Sequence, residues 1–163
     1  MNEDIFDVVN DDDEIIGCEP RSVVHARGLR HRAVHVLVYN AAGQLFLQKR
    51  SMAKDNAPGL WDSSCSGHVD SGESYAVAAE RELMEEIDLL VYEPMEELIK
   101  IEASAETSWE FAVIYRTESE GPFTLCPEEI DEGRWFTQEE IDNALANEPE
   151  KFSPTFRLIW KRR

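Results

Sequence analysis

The sequence predicts an α+β domain, an α/β/α sandwich, on three observations. Segments of strand character and segments of helical period alternate irregularly, without strict βαβ order. The 163 residues suit one domain rather than two, and no internal repeat, low-complexity tract or Pro/Gly-rich linker divides them, so residues 1–163 are expected to fold as a single unit. Apolar residues at 42% and charged residues at 31% are an ordinary balance for a folded chain. That excludes disorder as the dominant state.

The elements follow in order. Ile5-Phe6-Asp7-Val8-Val9 reads as a strand, Asn10-Asp11-Asp12-Asp13 as a turn and Glu14-Ile15-Ile16-Gly17 as the returning strand, an N-terminal hairpin over about residues 5–18. A short helix is expected from Arg21 to Arg27, stopping before Gly28. Ala33 to Tyr39 is a nearly continuous apolar strand. Asn40-Ala41-Ala42-Gly43 turns the chain, and Gln44 to Arg50 returns it as a hairpin. Ser51 to Pro58 is a loop, Ser63 to Ser66 is extended, and Gly67 to Gly72 is a tight loop. Tyr75 to about Ile87 is the clearest helix. Later strands fall near Leu98 to Ala103, Glu110 to Arg116 and Arg134 to Phe136. Thr137-Gln138-Glu139-Glu140 has the form of a capping box, with Thr137 as N-cap and Glu140 reaching back. A last helix is expected from Ser153 to about Trp160.

Charge narrows the partners. Against 34 Asp and Glu stand 16 Lys and Arg, a net charge of −18, and such a surface repels nucleic-acid polymers and anionic membranes. An anionic small molecule would need a local basic pocket or a divalent metal. Most of the acidic excess is read as solubility. Cys18, Cys65 and Cys126 form no CxxC pair and fit a reducing compartment. No run approaches the roughly 20 apolar residues needed to span a bilayer. Met1-Asn2-Glu3-Asp4 lacks a signal core, so a cytoplasmic protein is expected.

The chemistry is concentrated between Gly67 and Leu89. In the helix from Tyr75, Ala76, Ala79, Leu83 and Ile87 share an apolar face, while Glu82, Glu85 and Glu86 share another about a quadrant away. Three carboxylates at that spacing repel one another unless a cation sits among them, and a hard, oxygen-seeking ion such as Mg²⁺ or Mn²⁺ would do so. Taken alone, the cluster reads as a solvated acidic face. The flanking pattern changes that reading: Gly67, five residues, Glu73, seven residues, then Arg81-Glu82-Leu83-Met84-Glu85-Glu86. This stretch, residues 67–89, resembles the Nudix box. One position departs, because the box expects glycine before its final apolar residue and this chain has Asp88, which tolerates a left-handed helix end better than most residues.

The resemblance implies a Nudix fold, an α/β/α sandwich around a central mixed sheet with the box as a loop-helix-loop. It implies that Glu82, Glu85 and Glu86, with the carbonyl of Gly67, bind Mg²⁺ or Mn²⁺. Arg81 and Glu73 would pair to shape the loop. The implied reaction is hydrolysis of a diphosphate in which metal cations orient the attacking water and stabilise the leaving oxygen, and a carboxylate takes the proton. Glu85 and Glu86 in the box, and Glu110, Glu128, Glu129 and Glu132 outside it, are candidates for that base. Glu110 precedes an apolar strand and can point into the site, whereas a solvated loop is the favoured reading for residues 128–132.

The stretch from His31 to His68 is also similar to the Nudix branch that includes type I isopentenyl-diphosphate isomerase. The similarity rests on Leu45-Phe46-Leu47-Gln48-Lys49-Arg50, Lys54 and Pro58-Gly59-Leu60-Trp61. It implies that Arg50 and Lys54 contact a substrate diphosphate. It further implies a second metal site of His25, His31, His68 and Glu110. There His25 stands one residue closer to His31 than the pattern expects, and Ser108 replaces a second glutamate. Trp61, Phe111 and Tyr115 are read either as stacking rings for a base or as core, with Trp61 kept as a substrate-binding candidate.

Two departures weigh against isomerase chemistry. Ser66 stands where the isomerase has its cysteine, and Cys65, one residue away in an extended segment, faces the opposite side. The box is also whole. The expectation is a divalent-metal-dependent Nudix hydrolase cleaving a phosphoanhydride in a small nucleoside or other organic diphosphate, with a homodimer implied by resemblance. The alternatives are an isopentenyl-diphosphate isomerase-like enzyme and a non-catalytic nucleotide-sensing module, the latter expected to show an eroded box.

Overall fold

The computed structural model describes residues 3–163. Two strands, β1 (Ile5–Val9) and β2 (Ile15–Pro20), pair antiparallel as a separate hairpin and lead into helix α1 (Arg21–Arg27). Gly28 ends that helix in the left-handed region at φ 60, as the sequence predicts. The main sheet has seven strands: β3 (His31–Tyr39), β4 (Leu45–Arg50), β5 (Trp61–Asp62), β6 (Cys65–His68), β7 (Glu96–Ile101), β8 (Glu110–Glu118) and β9 (Ile130–Phe136). β3 runs parallel to β8 through nine residue pairs and antiparallel to β4 and β6, so the sheet is mixed.

Helices cover both faces. α2 (Tyr75–Ile87) lies on one side, where Ala79, Leu83 and Ile87 pack on Val34, Val36 and Val113. α3 (Gln138–Asn147) and α4 (Pro154–Arg162) lie on the other, where Ile141, Phe156 and Ile159 pack on Leu37, Leu45, Leu47 and Ile114. The alternation along β3 explains the division: Val34, Val36 and Val38 belong to the core under α2, whereas Leu37 and Tyr39 belong to the core under α3 and α4. The expected α/β/α sandwich is the observed one. Among the described residues no helix is long and apolar enough to cross a membrane.

The β3–β4 hairpin forms but opens at once. Only Val38–Phe46 and Tyr39–Leu45 are in register, after which β6 takes over as the partner of β3 and β9 as that of β4. The Ser64 hydroxyl bridges the opened pair, accepting from the Val38 amide at 2.8 Å and donating to the Phe46 carbonyl. This wedge brings β6 between the strands, and the site is built on it. The predicted tight loop therefore begins later, because Gly67 and His68 are strand residues paired with Val34 and Ala33.

The capping box of α3 is as predicted, with Thr137 Oγ1 accepting from the Glu140 amide at 3.1 Å and the Glu140 carboxylate accepting from the Thr137 amide at 3.0 Å. Several strand boundaries differ: β3 starts at His31, β6 is Cys65–His68 and β8 runs on to Glu118. β7 starts at Glu96 and β9 at Ile130, both in charged stretches, because each is an edge strand whose outward residues meet solvent. The buried stripe of α2 is also rotated. It includes Ala78 and Glu86 and leaves Ala76 exposed, since the helix turns its glutamates inward against β6.

Asp88 ends α2 at φ 55 and ψ 42, with its amide donating to the Met84 carbonyl and the Leu89 amide donating to the Leu83 carbonyl, both at 3.2 Å. An L-residue is strained there. Asp88→Gly is expected to raise stability by about 0.5 kcal/mol, seen as a higher urea midpoint with unchanged slope. A lower midpoint would show that the aspartate side chain holds the turn in some further way.

Candidate active site

The site begins with a close approach. Gly67 on β6 lies under the Glu82 side chain of α2, and a Cβ at position 67 would sit 2.2 Å from the Glu82 carboxyl carbon. Only glycine lets strand and helix meet at that distance. One turn on, Glu86 is 5% exposed, and its Oε1 accepts from Gln48 Nε2 at 3.1 Å and from the Ser66 amide at 3.2 Å. Glu85 lies at the rim with its side chain 58% exposed.

Arg81 ties the group together. Its guanidinium donates to both Glu73 oxygens at 2.8 and 2.9 Å, to Glu82 Oε1 at 2.8 Å, to Glu85 Oε2 at 3.2 Å and to the His68 carbonyl at 3.0 Å. Those bonds hold Glu73 below the usual carboxylate range. Glu82 goes the other way. Burial, then the neighbouring Glu86 charge, push it up to about 8 in spite of Arg81. Burial pushes Glu86 up to about 7, against the hydrogen bonds from Ser66 and Gln48. Two inward carboxylates that resist ionisation are a standing demand for positive charge.

Beside this acidic lobe lies a chamber of about 520 Å³. Lys54, Arg21, Ser66, Gly67 and His68 border both spaces. Arg50 and Arg157 add two more cations to the chamber. Arg50 is fixed by the Asn56 carbonyl at 3.0 Å and stands 3.5 Å from both Asp62 Oδ2 and Ser66 Oγ. Lys54 pairs with Glu129.

Strand register decides which side chains reach the chamber. Across the β3–β6 pair, His35 faces Ser66 and Val36 faces Cys65. Ser66 therefore lines the chamber, whereas Cys65 is fully buried in the core under α2. Burial, then the charges of Glu86 and Glu82, push the Cys65 thiol well above its ordinary range.

At the end of the chamber His25, His31 and His68 each place a ring nitrogen within 4.8 Å of the others. Glu110 Oε2 stands 2.8 Å from His68 Nε2 and 3.5 Å from His31 Nε2, yet neither nitrogen is angled for a hydrogen bond. Burial would raise Glu110, but the adjacent His68 and His31 outweigh it and hold the carboxyl well below its ordinary value. His31 Nδ1 lies 2.8 Å from the Leu29 carbonyl, which can only accept, so Nδ1 carries the proton. His31 Nε2 is then the nitrogen turned toward the Glu110 carboxylate. Phe6 of β1 closes the cluster, its ring 4.5 Å from that of His68.

A family model described as NUDIX domain matches residues 29–156. The chain belongs to the Nudix family. It is 36% identical over 135 residues to an uncharacterized Nudix hydrolase of Yersinia pestis, covering 83% of this chain and 74% of that protein. It is 32% identical over 157 residues to an isopentenyl-diphosphate Delta-isomerase of Serratia proteamaculans, covering 94% of this chain and 88% of that one. Among solved structures, the Deinococcus radiodurans protein DR0079 superposes with a TM-score of 0.84 at 28% identity, over 97% of this chain and 98% of the other. The Nudix hydrolase relatives and the fold support a pyrophosphohydrolase.

Within this Nudix domain the box residues Gly67, Glu73, Arg81, Glu82, Glu85 and Glu86 converge, and Arg50 and Lys54 stand beside them. Trp61 does not join them. Its ring packs edge-on against Phe136 at 5.1 Å with Arg134 over it at 5.2 Å, on the α4 side of the sheet. Phe111 and Tyr115 are likewise packed and nearly buried, and none of the three rings lines the chamber. Glu128 and Glu129 border the acidic lobe, while Glu132 is exposed on β9 outside it. Sequence reading missed Gln48, His35 and Asp62. The period-two alternation of β3, which sets His35 on the face of His31, was the available signal.

In metal-free protein the raised carboxyls bind protons that the unfolded chain has released. Stability contributed by Glu86 and Glu82 is therefore present below their unfolded value near 4.5 and lost as pH rises through the folded values of about 7 for Glu86 and about 8 for Glu82. The melting temperature in chelator is expected to fall between about pH 5 and about pH 8 more steeply in the native protein than in Glu86→Gln. Equal slopes would remove Glu86 from the account.

Proposed function

We propose that this chain is a divalent-metal-dependent hydrolase that cleaves the phosphoanhydride bond of a small organic diphosphate. The observation that carries this reading is the pair of inward carboxylates, Glu82 and Glu86, set against a chamber lined by Arg21, Arg50, Lys54 and Arg157. The donor set fits a hard cation, since it is all oxygen and the closeness of Glu82 to Gly67 brings the strand backbone within reach. Glu82, Glu85, Glu86 and the Gly67 carbonyl would hold Mg²⁺ or Mn²⁺. When bound, the ion neutralises the diphosphate, orients water for in-line attack and stabilises the leaving oxygen.

The chain's own groups do the rest. Arg50 and Lys54 grip the diphosphate from the chamber side. Gln48 and the Ser66 amide fix the rotamer of Glu86, and Arg81 fixes Glu82 and Glu73. The attacking water's proton has Glu85, Glu128 and Glu129 to go to within the acidic lobe.

The histidine cluster supports a second cation. Three imidazoles and one carboxylate converge there, with the Nε2 atoms of His31 and His68 turned toward Glu110 and without hydrogen bonds, and a metal between His25, His31, His68 and Glu110 would use that donor set. Such a site is compatible with hydrolysis. The isomerase reading is disfavoured by Cys65, which faces the core, and by a chamber without a large aliphatic side chain among its described lining residues.

The test is product analysis on a panel of nucleoside diphosphates and triphosphates, nucleotide sugars, dinucleotides, coenzyme A and isopentenyl diphosphate with Mg²⁺ or Mn²⁺. Release of phosphate or monophosphate, abolished by chelator and reduced about 100-fold or more in kcat by Glu86→Gln, is expected. Isomer interconversion without phosphate release, or full turnover in the folded Glu86→Gln protein, would overturn the assignment.

A further inference from the structure

Most of the fixed charges around the chamber cancel in pairs. Asp55 lies 3.4 Å from Arg21 and Asp62 lies 3.5 Å from Arg50, while Lys54 pairs with Glu129 and Glu110 stands against His31 and His68. Two lining charges, Glu106 and Arg157, have no ion-pair partner among the described residues, and both are exposed. The backbone beneath them differs. Arg157 stands near the start of α4, where the amide dipoles add positive character and the first turn holds no acidic residue to offset it. The N-cap residue Ser153 is 3% exposed, and its Oγ accepts from the Phe156 amide at 3.1 Å, which leaves the hydroxyl proton free. The Thr155 amide has no partner among the described residues.

A buried ring on β3 adds an independent sign. His35 is 4% exposed and lines the same chamber, with Nδ1 2.8 Å from Ser63 Oγ. Ser63 is fully buried, and His35 Nδ1 is the one acceptor its hydroxyl reaches among the described residues, so the hydroxyl donates and Nδ1 accepts. Asp62 Oδ1 does not compete, being 3.7 Å from Nδ1 and accepting from the Ser63 amide at 2.7 Å. Nε2 therefore carries the ring proton, and that donor has no partner among the described residues. Burial keeps the ring neutral against the pull of Asp62 and Glu110.

From this geometry we propose that the start of α4, with Arg157 and the His35 Nε2–H, is a second anion subsite, which takes a carboxylate or phosphate carried by the group linked to the diphosphate. The inference rests on the hydrolase reading for the diphosphate and goes beyond it in assigning a second charge to the substrate. The free groups of this wall are donors: the His35 ring, the Ser153 hydroxyl, the Thr155 amide and the Arg157 guanidinium. A neutral carbonyl would satisfy a donor but leave Arg157 and the helix end uncompensated, whereas an anion answers all of them. The wall is also separate from the metal side. Arg21 and Lys54 border both the chamber and the acidic lobe, but His35, Ser153, Thr155 and Arg157 border the chamber alone. A diphosphate held at the lobe leaves them to a different part of the substrate.

The test uses matched ligands that differ in one distal anion: UDP-glucose against UDP-glucuronate for a carboxylate, and 3′-dephospho-coenzyme A against coenzyme A for a phosphate. Calorimetric dissociation constants with Mg²⁺ and kcat/KM are measured for each. The native protein is expected to prefer the anion-bearing member of at least one pair by about tenfold or more, mainly in KM, and the pair that shows it identifies the anion. Arg157→Gln should reduce that ratio to about twofold or less, and Arg157→Lys, which keeps the charge, should retain part of it. His35→Phe should reduce it as well. If that variant fails to fold by circular dichroism, the exposed Arg157 variants carry the test. No preference in either pair, or an unchanged ratio in folded Arg157→Gln, would overturn the inference. Turnover without a preference overturns the subsite and leaves the hydrolase reading standing. A preference in the dissociation constants without turnover of any of the four does the reverse.

Discussion

Two carboxylates turned inward from one helix are the constraint around which the molecule is arranged. Glu82 and Glu86 face β6 from α2, and burial with mutual repulsion opposes ionising both. The chain answers with a single cation and a few fixed donors. Arg81 reaches Glu82, Glu73, Glu85 and the His68 carbonyl at once, while Gln48 and the Ser66 amide hold Glu86. None of these can move independently. The planar guanidinium fork demands fixed angles, so the helix, the preceding loop and the strand are locked in one relative position. Charge is still short by at least one, which is why the lobe suits a divalent ion.

The sheet converts register into chemistry. β6 enters where the β3–β4 hairpin opens, and its alternation sends Cys65 into the core and Ser66 into the chamber. A one-residue slip would exchange them, placing a thiol beside Arg50 and a hydroxyl among valines. The same parity on β3 delivers His31, Ala33 and His35 to one face. Thus two residues of different chemistry at adjacent positions have unrelated fates, and identity with an isomerase at 32% carries no weight at that point.

Much of this was legible. The box spacing located the carboxylates, the helix Tyr75–Ile87 and the capping box at Thr137 were read correctly, and the offset of Cys65 was foreseen from strand alternation. What was not legible depends on partners distant in sequence. Gln48 matters only because α2 lays Glu86 over β4, and Asp62 only because β5 brings it beside His35 and Arg50. Trp61 misled for the same reason. Within its Pro-Gly-Leu-Trp context it reads as a binding ring, but Phe136 and Arg134 of β9 claim both sides of it. Edge strands such as β9 hide their character because solvent tolerates charge on their outer positions.

Gly67 and His68 join the two charged centres through one peptide unit. Gly67 meets Glu82, whereas the next residue contributes its carbonyl to Arg81 and its ring to the histidine cluster. Arg81 therefore positions not only the carboxylates of its own helix but also, through the His68 backbone, the imidazole that faces Glu110. Phe6 presses on that imidazole from the far side, and Asp7 fixes the loop after β6 by accepting from Ser71 Oγ at 2.7 Å and the Gly72 amide at 3.3 Å. The N-terminal hairpin, which lies outside the main sheet, is thus tied to the same short segment. A displacement of residues 67–72 would loosen the acidic lobe, the histidine cluster and the hairpin together, which makes this strand end the common mechanical element of the site.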